Sequence, residues 1–389
     1  MMHWTHHRAC FILRLVISNG KNEIVMQNDR THDAMRRRLL QAMAALPVAV
    51  SGPLALFPAK ARAEGFPSMT SIASMASSAG AYQIERVNFE SAGVPLIGLL
   101  FTPTATQSPM PGVVIIGPFG FVKEQSPMEY ATRLARDGFA ALIFDPRFGG
   151  ESGGEPRRYE SPTAKIADIK AAISFLVARP ETRKDGVFAL GICQGSSEMI
   201  AAVSDDARIK ALATVSGQYL YRENLKGFFG GGGPTLDARI ARGQAAKAKF
   251  EASGEVDYTP VVSSDDKSSG LPWPEIYDWY HPWTTSKWGE PSRWENRYTT
   301  MSDAEVWTFD VDAYAVKLQL PTLMIHGERS DGFVAAVQHV FDKVPAKDKK
   351  LVIVEGVFHT RFYDDPLVIE PTAAEVAQWF KSNVKSERG

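Results

Sequence analysis

The run Gly191-Ile192-Cys193-Gln194-Gly195 sets a thiol between two glycines, after an apolar stretch and before a helical one. A tight turn from strand to helix strains its central residue, and only small neighbours let the backbone pass. The central side chain then projects at the carboxyl edge of a sheet, beside a helix N-terminus whose dipole and free N–H groups favour negative charge. Cys193 is therefore expected to have a depressed pKa and to act as a thiolate nucleophile. A structural thiol on an apolar strand is the competing reading, and the partners found downstream weigh against it.

A nucleophile needs a base, and the base an orienting carboxylate. Beyond residue 63 the histidines are His281, His326, His339 and His359. His359 follows Glu355-Gly356-Val357-Phe358, where a loop after the last strand returns it to the sheet edge, and it is the expected base. His326 ends a strand run and is expected to be half-buried, His339 sits mid-helix, and His281 lies in an irregular aromatic zone. Asp331, in Gly327-Glu328-Arg329-Ser330-Asp331-Gly332, is the expected acid; Glu328 competes with it, or else is a surface partner of Arg329. An oxyanion hole needs two backbone N–H groups. One is expected from Gln194 and the other from the loop Gly117-Pro118-Phe119-Gly120-Phe121. Pro118 has no N–H, so Phe119 is the first candidate and Gly120 the second. No His, Cys or Asp cluster has metal-ligand spacing, so no metal and no other cofactor is expected.

The elements around these residues alternate as a mostly parallel sheet requires. Val87–Phe89 and Leu96–Phe101 read as a hairpin around Gly93. Short apolar runs, the mark of strands buried on both faces, lie at 112–117, 139–144, 187–192, 209–215, 321–326 and 351–354. Helical patterns fall at 126–137, 162–179, 195–204, 332–343 and 366–384. The stretch 218–311 does not alternate beyond one helical segment near 236–252. It holds six of the eight tryptophans: Trp273, Trp279, Trp283, Trp288, Trp294 and Trp307. Such aromatic density suits an inserted cap over a cleft, with Trp279, Tyr280 and Trp283 as substrate contacts; a satellite core holding the insertion together is the alternative. Arg147 and Lys123 are weak candidates for binding an acidic substrate.

The chain has 389 residues, 44% hydrophobic and 22% charged, with a formal charge of −1. That balance excludes disorder, collagen and coiled coil, and nothing in it suggests nucleic-acid binding. At the N-terminus, Arg36-Arg37-Arg38 precede an apolar stretch from Leu39 to Phe57, and Ala61-Arg62-Ala63 supplies a small-x-small cleavage pattern. The twin arginines resemble the export signal that carries folded proteins across the bacterial inner membrane. Pro47, Gly52, Pro53 and Pro58 interrupt the stretch, which argues against a transmembrane anchor. Residues 1–34 show no coherent pattern and read as sequence ahead of a start at Met26 or Met35. The expected division is a leader over 1–63, a linker over 64–81, a core over 82–217, a cap over 218–311 and the rest of the core over 312–389. Cleavage after Ala63 leaves 34 basic and 41 acidic residues and Cys193 as the sole thiol, in a periplasmic or secreted protein with no stable membrane insertion.

The order Cys193, Asp331, His359 along an alternating chain resembles the α/β-hydrolase fold. The stretch Asp145-Pro146-Arg147-Phe148-Gly149-Gly150-Glu151-Ser152 and the insertion after Val215 are similar to that fold as well. A cysteine in the elbow resembles the dienelactone-hydrolase-like branch, whose members use Cys, His and Asp, although the long aromatic insertion departs from it. The resemblance covers roughly residues 82–385. It implies a hydrolase of a small-molecule ester or lactone, or of a thioester, working through an acyl-thioenzyme. An acyltransferase or peptidase on the same fold is the alternative, and a catalytically inactive ligand-binding protein is the third reading.

Overall fold

Strands buried on both faces need apolar side chains in both directions, and Val113, Val114, Ile115 and Ile116 supply them in succession, all fully buried. The structure is a computed structural model. It describes residues 11–18, 21–28, 80–105, 109–284, 286–287, 290–291, 293–330 and 333–384. Within these residues lies a ten-stranded sheet built from β1 (Phe11–Ser18), β2 (Lys21–Asn28), β3 (Tyr82–Ser91), β4 (Val94–Pro103), β5 (Met110–Ile116), β6 (Ala140–Phe144), β7 (Thr182–Ile192), β8 (Ile209–Val215), β9 (Thr322–Gly327) and β10 (Lys349–Val354). Its order is β2-β1-β10-β9-β8-β7-β5-β6-β4-β3. From β10 across to β6 every neighbouring pair is parallel. The pairs of β3 with β4, β4 with β6, β1 with β2 and β1 with β10 are antiparallel. A mostly parallel sheet is thus what the alternating pattern specifies.

Helices cover both faces. Val113, Ile115 and Leu190 pack with Leu134 of α1 (Ser126–Arg136) and Phe380 of the last long helix, Pro366–Ser382. Val114, Ile116 and Ala189 pack on the other face with Ile173 of α2 (Pro162–Ala178) and Val340 of the helix Phe333–Lys343. The helix α3 (Gly195–Val203) follows β7 directly, which puts Cys193 between them. Among the described residues no helix is long and apolar enough to cross a membrane.

The N-terminus departs from the sequence reading. β1 and β2 pair as a hairpin, and β1 extends the sheet beyond β10. The dipeptide between them in the chain is Asn19-Gly20, the pair that two-residue hairpin turns favour, a signal the reading passed over. The export segment 36–63 and the linker up to residue 79 lie outside the described residues.

The loop after β6 is held by buried charge. Lys123 Nζ lies 2.8 Å from Asp145, 2.7 Å from Glu151 and 2.7 Å from Glu124. Asp145 also accepts from the backbone N–H of Lys123 and of Glu151. Gly150 has φ +46°, and a Cβ there would sit 2.1 Å from the Asp145 carboxyl carbon. Arg147 forks onto Asp168 and donates to Ser91 Oγ. Neither Lys123 nor Arg147 therefore awaits an acidic substrate; both neutralise carboxylates inside the fold. Lys123→Met should cost about 3–5 kcal/mol, because it strands the fully buried Asp145 charge. A urea melt that moves by less than about 1 kcal/mol would contradict this role.

Candidate active site

The elbow has the geometry its glycines predict. Cys193 holds φ +54°, a region non-glycine residues rarely adopt. A Cβ on Gly191 would meet Gly195 O at 2.7 Å, and one on Gly195 would meet Gly117 O at 2.5 Å. The turn is locked by Cys193 N donating to Val215 O and Ser196 N donating to Cys193 O.

The backbone N–H groups of Gln194 and Phe119 both bear on the Cys193 sulfur and favour its charged form. The other polar groups of the Phe119 loop are engaged elsewhere. Gly120 N donates to Glu160 Oε1 at 3.1 Å, Tyr280 Oη donates to Phe119 O at 2.8 Å, and Trp294 Nε1 donates to Gly120 O at 2.8 Å. Only the Phe119 N–H of these groups is left facing the sulfur. The Phe119 ring stacks on Trp307 at 5.7 Å and meets Tyr298 edge-on at 4.9 Å, so the loop is clamped from the aromatic stretch.

Burial reverses the expected charge state. Cys193 is 5% exposed, and desolvation pushes its thiol up to about 11 despite the two N–H groups and the helix terminus. The resting thiol is neutral, where a thiolate was expected, and the S–H has Gln218 Oε1 as an acceptor at 3.9 Å. His359 is 1% exposed, and burial pulls its pKa down to about 3, so the imidazole is neutral too.

The hydrogen bonds of His359 fix its tautomer. Ser216 has one hydroxyl proton and donates it to the His359 carbonyl at 2.9 Å, so the Ser216 oxygen accepts at its 2.9 Å contact with Nδ1. Nδ1 therefore carries the ring proton and Nε2 is bare. Nε2 meets the Tyr363 hydroxyl at 2.7 Å. Ser216 stands at the end of β8 with φ +47°, a second strained residue at the sheet edge. Asp331 lies outside the described residues. Glu328 is exposed and accepts from Gly356 N at 2.9 Å. His326 is fully buried at the end of β9, its ring 6.2 Å from that of His359. His339 stacks on Tyr221 and bonds Asp312, and His281 stacks on Tyr277.

Residues 93–360 match the family model described as X-Pro dipeptidyl-peptidase (S15 family). The chain belongs to the S15 family. An uncharacterized protein of Pseudomonas aeruginosa is 31% identical over 267 residues, 66% of this chain and 68% of that protein. Its crystal structure matches 78% of this chain and 94% of that one with a TM-score of 0.67 and 27% identity. The uncharacterized protein YcjY of Escherichia coli is 29% identical over 317 residues, 77% of this chain and 99% of that protein. A protein named thiohydrolase from Eupenicillium brefeldianum is 31% identical over 132 residues, 34% of this chain and 42% of that one. The fold is that of the α/β hydrolases, as the resemblance implied, and the family within it is S15.

In this S15-family chain the aromatic stretch does more holding than opening. Trp294, Trp307 and Tyr298 clamp the Phe119 loop or pack beneath it. Tyr280 is fixed by its bond to Phe119 O. Trp279 lies edge-on to Tyr363 at 4.8 Å and against Trp283 at 5.8 Å, and both tryptophans are buried. Trp288 lies outside the described residues. A second buried group reaches Gly120 and the Gln194 side chain. Lys165 pairs with Glu160, which holds Gly120 N, and lies 3.8 Å from Glu198, which accepts from Gln194 Nε2 at 2.8 Å. Burial pushes Glu198 up to about 7 although Lys165 opposes it. Among the described residues no group of three or more His, Cys, Asp or Glu could hold a metal ion. Sequence reasoning missed Ser216 and Tyr363. Tyr363 had a signal, since it stands four residues after His359 and thus one helical turn along.

Proposed function

We propose that the chain is a hydrolase of small esters, lactones or thioesters that works through an acyl-thioenzyme on Cys193. The observation that carries this reading is the convergence of the Gln194 and Phe119 N–H groups on a sulfur held at φ +54°. In the first step the Cys193 sulfur attacks the carbonyl carbon while its proton leaves toward His359, whose bare Nε2 makes it a base. The carbonyl oxygen becomes an oxyanion held by Gln194 and Phe119, each N–H contributing roughly 2.7–4 kcal/mol. The imidazolium returns the proton to the departing alkoxide or thiolate. His359 then takes a proton from water, whose oxygen attacks the acyl-thioenzyme and releases the acid and the free thiol.

Because thiol and imidazole both rest neutral, proton transfer accompanies attack instead of preceding it. Leaving groups of low basicity therefore suit the site best. An amide collapses back by expelling sulfur unless its amine is protonated first, so peptides are poor substrates. The partial likeness to a thiohydrolase favours thioesters within this class. The burial of Cys193 and His359 favours acyl transfer to a bound acceptor as the second reading, since it keeps water from the intermediate.

A panel of one acyl group presented as thioester, p-nitrophenyl ester and p-nitroanilide tests the proposal. The thioester and ester should exceed the anilide in kcat/KM by at least about 10²-fold. An anilide turned over as fast as the ester would overturn it in favour of a peptidase.

A further inference from the structure

A third group, the Tyr363 hydroxyl, interacts with both the base and the nucleophile of this site. Tyr363 Oη lies 2.7 Å from His359 Nε2, and it also reaches the Cys193 sulfur. The one-turn helix Arg361–Asp364 carries it, and Tyr130 Oη holds that turn by donating to Phe362 O at 2.9 Å. On its other side the Tyr363 ring abuts Trp279. Its direction of donation follows from the tautomer: Ser216 receives the Nδ1 proton, so Nε2 has none to give and the phenol must donate to it. The phenol oxygen keeps lone pairs that accept a proton from the thiol.

We propose that Tyr363 is a catalytic residue that relays the Cys193 proton to His359. The inference rests on Cys193 being the nucleophile and adds the path its proton takes. The S–H turns from Gln218 Oε1 to the phenol oxygen. As the sulfur forms its bond to the carbonyl carbon, the thiol proton passes to Tyr363 Oη and the phenolic proton passes to His359 Nε2. Tyr363 ends neutral, the imidazole becomes an imidazolium, and the carbonyl π electrons move to the oxyanion. The same two transfers run backward when the leaving group or the thiol is reprotonated. Tyrosine suits the role because burial raises its pKa well above the ordinary value, so it hands on a proton without resting as a phenolate.

Tyr363→Phe keeps the ring against Trp279 and removes only the hydroxyl. Acylation followed by stopped flow on a p-nitrophenyl ester should slow by about 10²-fold with KM kept within about twofold. In wild type, the acylation rate across H2O/D2O mixtures should bow below a straight line, as two protons in flight require. Cys193→Ala runs alongside. A Cys193→Ala enzyme that still turns over removes the nucleophile reading itself. An inactive Cys193→Ala enzyme beside a Tyr363→Phe enzyme at wild-type rate or faster removes the relay alone. A linear isotope plot in wild type removes the relay too, and decides the matter if the phenylalanine variant does not fold.

Discussion

Cys193→Ala should lower kcat on an activated ester or thioester by about 10⁶-fold, down to what the oxyanion donors and binding alone provide. The size of the effect follows from the site's construction. Gly191 and Gly195 are forced by contacts of 2.7 and 2.5 Å to backbone oxygens, and Cys193 stays at φ +54° to present its sulfur to two N–H groups. Alanine accepts the same backbone and leaves the cavity nearly unchanged, so the fold and Tm should stay close to wild type. Initial rates over a wide enzyme range, together with a thermal melt, separate lost chemistry from lost structure. A variant within about tenfold of wild type would remove Cys193 from the reaction.

His359→Ala should lower kcat by about 10⁴-fold, since it removes the base assigned to the neutral thiol in the proposed mechanism. It should also change how stability depends on pH. His359 titrates near 3 when folded and near 6.5 when unfolded, so the unfolded chain binds the extra proton between those values. Its contribution is therefore fully present above about 6.5 and is lost as pH falls toward 3. Glu198 runs the other way: with a folded pKa near 7, it favours the folded state below its ordinary value and loses that contribution as pH rises through 7. Urea melts from pH 4 to 8 should show His359→Ala losing less stability than wild type on the acid side. Equal slopes for the two proteins would mean that the imidazole is not held neutral.

The core strands were legible because burial on both faces forces unbroken apolar runs, and Ile209–Val215 appears at its expected bounds. The elbow was legible because glycine spacing reports backbone crowding directly. In the Phe119 loop proline removes one donor, which the sequence shows, and Glu160 occupies the Gly120 N–H, which it does not. The charge state was not legible. Sequence reveals a helix N-terminus beside Cys193 but not how deeply the thiol is buried, and burial outweighs the dipole. Ser216 escaped because nothing in Val215-Ser216-Gly217 announces a positive φ at the serine. Lys123 and Arg147 looked available because carboxylates they neutralise, Glu151 at 28 residues' separation and Asp168 at 21, are brought in by tertiary structure.

Acid quenching during turnover of an activated thioester, followed by intact mass and peptide mapping, tests the central claim most directly. The account predicts one added acyl group, confined to the peptide bearing Cys193 and removed by neutral hydroxylamine. Steady turnover with no adduct on that peptide, or with the acyl group on a serine of the neighbouring helix, would contradict it.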